Sequence, residues 1–422
     1  MSNGNVTTKA ATDILEGDGF LIGQFDDHSA LSSLADSARR VQLGPEGYAL
    51  EISEHKVCLG ANNPLGLFYG VQTLLQLMQP SGEGKLSIPQ LNIRDWPNMA
   101  WRAVHCFPPS EAGLPAFKNV LTEVLPRYKI NTLIFEVNYR FPYQSHPEVA
   151  EPNAFSKKVY REITALASEH FIQIIPQFNC LGHQSWSKRT SPLLRTHPEF
   201  DETPWLPPHN PDIYCRSWCP LHSDVNRFVF DLFDELIDVF QPEAFHVGMD
   251  EVFILGDDRC PRCKNKPKHE LFAKAVNDLH AYLNGEKGLT FLMWGDRLID
   301  AKQFDYGRWE ASENATAEAI NLIPQDIIVC DWHYGVRDTY PSLKYFQDKG
   351  FRVLAAGWKS PDNVRKFNQY AYQVQGDKML GQLATTWIGT DELCHALLTG
   401  QGNEDAQNVA TCLKIVGERT WK

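Results

Sequence analysis

The chain has 422 residues, 43% of them apolar and 22% charged, with a formal net charge of −12 at pH 7. That length suits a large α/β domain with a smaller one attached, since α/β barrels alone run to roughly 250 residues. The acidic balance argues against a nucleic-acid partner and a basic membrane-binding surface, and no run is long and apolar enough to span a bilayer.

The stretch MSNGNVTTKAATDILEGDGF lacks the basic and apolar regions of a signal peptide, so the chain as written reads as cytoplasmic. A secreted chain whose leader had been removed would read the same way. Residues 1–95 form a first region. YALEISEHKVCLG alternates like a strand and ends in a tight turn. In ANNPLGLFYGVQTLLQLMQP, residues Leu67, Val71, Leu74, Leu75 and Met78 recur at helical spacing up to Pro80. A small α/β domain is expected there.

From Trp96 the pattern changes to short apolar runs alternating with helical stretches. Strands are predicted at 101–106, 131–138, 171–178, 244–249, 289–294, 326–331, 351–357 and 381–387. A helix is predicted over 224–240, where Val225, Phe228, Val229, Leu232, Phe233 and Leu236 share one face. Strands and helices in this alternation predict a (β/α)8 barrel over 96–422, although an open parallel sheet has equally continuous apolar strands.

In such a barrel the chemistry sits just past the C-terminal ends of the strands. The first strand carries Arg102 and His105, and the third ends in CLGHQSW with His183. The fourth ends in Asp250 and Glu251, within FHVGMDEVFILG. Trp294 and Asp296 follow the fifth, and Asp331, Trp332, His333 and Tyr334 the sixth. Trp358 and Trp387 end the seventh and eighth. Tryptophan thus recurs at four strand mouths, and its flat apolar face with one N–H donor suits stacking on a sugar ring. Each residue alone has a plainer reading: Asp250 as a helix N-cap, a tryptophan as core, His183 as a turn residue, Arg102 as an ion-pair partner. Gathered at one end of successive strands, they read as a cleft. A glycosidase needs a carboxylic acid still protonated near neutral pH, and a neighbouring carboxylate raises a pKa, as does burial among aromatics. Glu251 is therefore expected to be the proton donor and Asp250 its charged neighbour.

These residues resemble a known family. FHVGMDEVF is similar to the His-x-Gly-Gly-Asp-Glu signature of glycoside hydrolase family 20, the β-N-acetylhexosaminidases. YALEIS with ANNPLGLFYGVQTLLQLMQ resembles the small domain that precedes the barrel in that family, and IRDWPNMAWRAVH and IIPQFNCLGH resemble its first and third strands. NTLIFEVNYRFPY is closer to the hexosaminidase D-like branch. The resemblance implies Glu251 as general acid/base and Asp250 as the group that holds the substrate's 2-acetamido N–H. It implies Arg102 on sugar hydroxyls, His183 as a supporting residue, and Tyr334 on the acetamido carbonyl. Trp294, Trp332 and Trp387 would form the pocket wall, with Trp358 beside them. The implied reaction is substrate-assisted retention through an oxazolinium-type intermediate, which needs no cofactor. The implied partner is a glycan or glycoside carrying N-acetylhexosamine. Two departures stand out: Met249 replaces the second glycine of the signature, and Asn138, Tyr139 and Arg140 stand where the family often has acids. Two other readings stay open: a sugar-binding barrel that has lost turnover, and a glycosidase using a second, distant carboxylate among Glu136, Glu310, Asp331 and Glu392.

Of ten cysteines, Cys58, Cys106, Cys330, Cys394 and Cys412 stand alone in apolar runs and read as buried thiols. Cys215 and Cys219 (CRSWC), with Cys260 and Cys263 (CPRC), have spacings compatible with a structural zinc site, with His222 as a substitute ligand. Disulfides and free thiols fit the same spacing.

Overall fold

The computed structural model describes residues 19–27, 29–38, 43–82, 85–187 and 189–422. The small domain is a sheet of β1 (Gly19–Gln24), β2 (Tyr48–Ile52), β3 (Lys56–Ala61) and β4 (Leu91–Asp95), in the order β1-β3-β2-β4. β1 runs parallel to β3, and β2 antiparallel to both its neighbours. Helices α1 (Ser29–Ala38) and α2 (Pro64–Leu77) pack on it. α2 starts where the Asn63 side chain accepts the N–H groups of Leu65 and Gly66, at 3.1 and 3.3 Å, with Pro64 in the first turn. Its buried face is Gly66, Tyr69, Gly70 and Leu74, so the stripe read from sequence is rotated, and Leu75 is exposed.

Eight parallel strands follow: β5 (Trp101–Cys106), β6 (Thr132–Glu136), β7 (Gln173–Cys180), β8 (Ala244–Gly248), β9 (Thr290–Trp294), β10 (Ile328–Trp332), β11 (Arg352–Trp358) and β12 (Met379–Thr385). Each lies within two residues of its predicted ends. β12 pairs with β5 from Gly381–Trp101 to Ala384–Val104, which closes the barrel and excludes the open sheet. Around it run α3 (Leu114–Asn119), α4 (Lys157–Glu169), α5 (Val225–Phe240), α6 (Lys268–His280), α7 (Ser342–Asp348), α8 (Pro361–Gln373), α9 (Thr390–Thr399) and α10 (Glu404–Trp421). Between β9 and β10 the chain makes only short helical turns, at Gly307–Glu310 and Ala317–Asn321.

The side-chain period of two along each strand sorts the core into two layers. Ala103, Ile134, Ile175, Leu292, Ile328, Cys330, Leu354, Ala356 and Leu383 fill the barrel interior. Val104, Leu133, Ile174, Val329, Val353 and Ala384 face the helices. The same alternation decides what reaches the mouth. Trp294 follows Leu292 inward, Trp332 follows Cys330, and Trp387 joins the interior layer from beyond β12.

Parity and position together correct the expectation for Arg102. It lies at the start of β5, beside inward-facing Ala103, at the end of the barrel opposite the strand mouths. It is fully buried and pairs with Glu46 of the small domain. It also donates to Tyr69 Oη (3.2 Å) and to the Met99 carbonyl (3.2 Å). Its guanidinium sits 5.1 Å from the ring centroid of Trp421, the last residue of α10, which in turn stacks on Tyr48 and meets Tyr69 edge-on. Beside it, Lys129 pairs with Asp95 at 3.1 Å. Arg102 therefore joins the two domains instead of binding sugar hydroxyls. Removing one partner of a buried pair costs about 3–5 kcal/mol. Arg102→Met is expected to lower the urea-unfolding free energy on that scale while leaving KM for any substrate of the cleft unchanged; a raised KM at unchanged stability would place Arg102 back in the binding site.

Candidate active site

A cleft of about 410 Å³ opens at the C-terminal ends of the strands. Asp250, Glu251, His183, Trp294, Trp332, Tyr334, Trp358 and Trp387 all line it. Of the residues to which the family resemblance gave a role, Arg102 lies elsewhere; His105, Asp296, Asp331 and His333, also read at the strand ends, are buried and do not line the cleft.

The acid pair sits on an unusual stretch of backbone. Gly248, Met249 and Glu251 have φ of +68°, +73° and +50°, the left-handed region that residues with a Cβ rarely adopt. Such conformations cluster at functional sites, held in place by their surroundings. Gly248 is needed there twice over, because a Cβ would also meet Asn179 Oδ1 at 2.7 Å. Met249 is fully buried in the layer between barrel and helices, so it does not narrow the cleft. Asp250 and Glu251 keep only 8% and 9% of their surface exposed.

One imidazole serves both acids. His183 Nε2 lies 3.0 Å from Asp250 Oδ2 and 3.2 Å from Glu251 Oε2. Burial disfavours the His183 charge, but the Asp250 charge and the hydrogen bonds to both carboxylates outweigh it and raise its pKa well above 6.5. Burial likewise opposes ionisation of Asp250, and the His183 charge and hydrogen bond reverse this, holding the carboxyl below its ordinary value. The second oxygen, Asp250 Oδ1, is buried and has no hydrogen-bond partner. The Glu251 N–H donates to Asp296 Oδ2 (3.0 Å), which Arg297 Nε also reaches at 2.6 Å. Trp332 Nε1 donates to Asp296 Oδ1 at 3.2 Å. Asp296 thereby fixes both the proton-donor candidate and one wall. Burial, partly offset by Arg297, pushes its carboxyl up to about 6.

The His183 loop is braced from below. Gly182 allows it to approach the acids, since a Cβ there would meet the Asp250 carbonyl oxygen at 2.7 Å. The His183 N–H donates to Cys215 Sγ at 2.7 Å. Tyr139 Oη donates to Gln184 Oε1 at 2.5 Å, and Gln184 Nε2 donates to the carbonyls of Asn179 and Gly182. Asn138 Oδ1 accepts the Asn179 N–H, and Arg140 binds the carbonyls of Pro108 and Pro109. Asn138 and Tyr139 thus support the His183 loop, Arg140 ties down the loop after β5, and none of the three lines the cleft. An acid does end the second barrel strand: Glu136, buried and linked to His105 Nε2 (2.8 Å), Gln177 Nε2 (2.9 Å), Asn179 Nδ2 (2.9 Å) and Asn138 Nδ2 (2.8 Å).

The opposite wall is aromatic. Trp387 Nε1 donates to Tyr334 Oη at 2.5 Å, and the Tyr334 ring lies 4.9 Å from Trp332 and 5.3 Å from Trp358. Burial raises the Tyr334 phenol, so it keeps its proton. Glu310 accepts the Tyr334 N–H (3.0 Å) and pairs with His333 Nδ1 (2.7 Å). Asn179, Trp186, Tyr214 and Trp309 also line the cleft and were not assigned to it from sequence; Glu310, named from sequence only as one of four possible second carboxylates, lines it too. Trp186, Tyr214, Trp309 and Glu310 come from loops beyond the strand ends, where strand periodicity carries no information. The adjacency of Trp186 to the CLGH segment was the one available signal.

The cysteine expectation is corrected at one position. Cys219, Cys260 and Cys263 come together, but Cys215 does not join them, and Glu202 does. The cause is an antiparallel bridge between Asp201 and Trp218 that keeps the CRSWC segment extended. An extended run cannot turn both its sulfurs to one point. The bridge also sets Glu202 beside Cys219, through Glu202 N–H to the Ser217 carbonyl (3.0 Å) and Cys219 N–H to the Phe200 carbonyl (2.7 Å). All ten cysteines are free, so none of the pairs forms a disulfide.

Fold and site together define a (β/α)8 barrel with a buried carboxylate pair facing an aromatic cleft. The chain belongs to glycosyl hydrolase family 20: its catalytic-domain description matches residues 125–392, and its domain 2 matches residues 5–96. The chain is 23% identical over 412 residues to a β-hexosaminidase of Porphyromonas gingivalis, a match covering 87% of this chain and 50% of that protein. It is 28% identical over 222 residues to the β-hexosaminidase subunit beta of Homo sapiens, covering 49% of this chain and 38% of that one. The chain spans about half the length of the first of these relatives and less of the second. Among solved structures it is similar in fold to a β-N-acetylhexosaminidase from Bacteroides fragilis, with TM-score 0.66, 17% identity, and 89% of this chain and 77% of that one covered. A mutant Streptomyces plicatus β-hexosaminidase in complex with GlcNAc gives TM-score 0.65 at 18% identity, covering 95% and 85%.

The His183–Asp250 contact ties stability to pH in a definite direction. The raised His183 pKa contributes stability that is fully present below 6.5 and lost as pH rises through the folded value. The depressed Asp250 pKa contributes stability present above 3.8 and lost as pH falls through its folded value. The gap in denaturation midpoint between wild type and His183→Gln is expected to be widest between pH 3.8 and 6.5 and to narrow on both sides. A gap independent of pH would show that the pair is not ionic.

Proposed function

We propose that this chain is a retaining glycoside hydrolase that removes terminal β-linked N-acetylhexosamine by substrate-assisted catalysis. The observation that carries the reading is Asp250 Oδ1, a buried carboxylate oxygen without a partner, set between the proton-donor candidate and an aromatic wall. A buried acceptor in that state costs stability unless a ligand donor meets it. The 2-acetamido N–H of the substrate is such a donor. Family membership and the β-hexosaminidase relatives support the same assignment.

On this reading the acetamide oxygen attacks the anomeric carbon as the glycosidic bond breaks, and Glu251 gives its proton to the departing oxygen. Asp250, kept ionised by His183, holds the acetamido N–H and stabilises the positive charge that develops on the oxazolinium ring. Tyr334 binds the acetamido carbonyl from its protonated phenol. Trp294, Trp332 and Trp387 enclose the methyl group and the sugar ring, with Trp358 behind Tyr334. Water then attacks the anomeric carbon while Glu251 takes its proton, and two inversions leave the configuration retained. The family's chemistry draws on no cofactor. The division into a small unit over 1–95 and a catalytic barrel over 96–422 belongs to the same proposal. It is supported by the separate sheet that ends at Asp95.

Hydrolysis of aryl β-N-acetylglucosaminide, β-N-acetylgalactosaminide, β-glucoside and β-galactoside tests the reading. Release is expected from the N-acetyl sugars only. Glu251→Gln is expected to lower kcat about 10²–10⁴-fold, the usual share of a general acid. Equal release from the plain sugars would overturn the acetamide route and direct attention to Glu310, the remaining carboxylate of the cleft. Binding without release from any of them would instead favour a sugar-binding barrel.

A further inference from the structure

We propose that Cys219, Cys260, Cys263 and Glu202 bind a structural zinc ion that fastens the loop after β7 to the loop after β8. The four ligand atoms all lie within 4.8 Å of one another. Cys219 Sγ is 3.8 Å from Cys260 Sγ and 3.3 Å from Cys263 Sγ, and Cys263 Sγ is 3.2 Å from a Glu202 carboxylate oxygen. A tetrahedral ion with Zn–S bonds of about 2.3 Å sets its sulfurs about 3.8 Å apart, the spacing of Cys219 and Cys260, and Cys219 and Cys263 at 3.3 Å need open only slightly to reach it. Cys260 and Cys263 come from one Cys-Pro-Arg-Cys turn, and Cys219 and Glu202 from the paired segments of the other loop.

Three buried thiols alone would read as small apolar packing. Glu202 makes that reading inadequate. It is 0% exposed, and its hydrogen bonds come from the Asp257 N–H (3.0 Å) and the Cys263 thiol. Among the described residues no lysine or arginine forms an ion pair with it. A buried carboxylate against three sulfurs needs a cation, and Arg262 supplies only one N–H, to Cys219 Sγ at 3.2 Å. Three thiolates with one carboxylate are a soft donor set that selects zinc over calcium or magnesium. All four ligand positions are filled by protein and lie outside the cleft lining, which marks the ion as structural.

The position of the ion gives it a task. Cys219 follows Trp218, whose N–H is held by the Leu181 carbonyl (3.0 Å), and Cys215, whose sulfur holds the His183 N–H. Cys260 and Cys263 follow Asp250 and Glu251 in the next loop. The ion therefore fixes the loop carrying His183 and Tyr214 to the loop carrying the acids. This holds whatever sugar the cleft accepts.

The test is metal analysis of the whole chain, expressed with zinc in the medium and purified without chelator. A single zinc ion per chain is expected, lost in Cys219→Ser and Cys263→Ser and kept in Cys215→Ser, the position that spacing alone would have chosen. Where a cysteine variant fails to fold, cobalt(II) exchanged into the wild-type chain decides. A thiolate-to-cobalt charge-transfer band with tetrahedral d–d bands supports the site, as does a fall in Tm on stripping the metal. Substoichiometric zinc with no cobalt spectrum overturns the proposal, and so does a Cys219–Cys263 disulfide in non-reduced peptide mapping.

Discussion

Two carboxylates on consecutive residues, both nearly buried, set the constraint on which this barrel mouth depends. At an effective dielectric of about 20, like charges 4 Å apart repel by about 4 kcal/mol, and burial adds to the cost. His183 offsets it by placing one protonated nitrogen against both carboxylates. A third acid, Asp296, lies immediately behind, with Arg297 as its partner. Two cationic side chains thus serve three acids. Burial, with the Asp250 charge adding to it, pushes the Asp296 carboxyl up to about 6 despite Arg297, and Asp250 Oδ1 is left without a donor. A ligand that brought an N–H of its own, as the proposed substrate does, would supply that donor.

Keeping His183 in that position requires the loop after β7 to hold a left-handed backbone, with φ of +58° at Leu181 and +53° at His183. The strain is carried by neighbours that leave it no alternative. Glu136 gathers four donors at the C-terminal end of β6, two of them, Gln177 and Asn179, on β7. Tyr139 and Gln184 clamp the carbonyl side, and Cys215 receives the His183 N–H. Two of the departures from the family pattern, Asn138 and Tyr139, are therefore absorbed into this brace, while Arg140 holds the carbonyls of Pro108 and Pro109. A polar network of this kind fixes geometry more firmly than apolar packing, because each member left unpaired would cost the full desolvation of its group.

The barrel was legible because its strands are buried on both faces and read as continuous apolar runs with clear ends. The tryptophans at the mouth were legible for the same reason, since a strand end and a parity specify where a side chain points. Arg102 failed that test by parity and by distance. Six residues of strand, roughly 20 Å of rise, separate the two ends of β5, and the residue type alone does not say which end it serves. Trp186, Tyr214 and Trp309 were out of reach because their loops have no period, and for the same reason Glu310 could be named only as one of four possible second carboxylates. Glu202 was hidden by a single β-bridge, which no spacing between cysteines records.

The shared imidazole also bears on which scheme of bond cleavage fits. A retaining enzyme with its own nucleophile needs two carboxylates about 5–5.5 Å apart on opposite sides of the anomeric carbon. Asp250 and Glu251 touch the same nitrogen of His183 and their carboxylate oxygens lie within 4.8 Å of each other, closer than that scheme needs. Glu310 stands across the cleft, but one of its oxygens is held by the Tyr334 N–H and the other by His333. Attack by Glu310 would break both contacts and release the segment that positions Tyr334. Glu136 and Asp331 are buried within their own networks, and Glu392 lies outside the cleft lining. With these carboxylates committed to their own contacts, the proposed reaction takes its nucleophile from the substrate, as a 2-acetamido oxygen oriented by Asp250 and Tyr334.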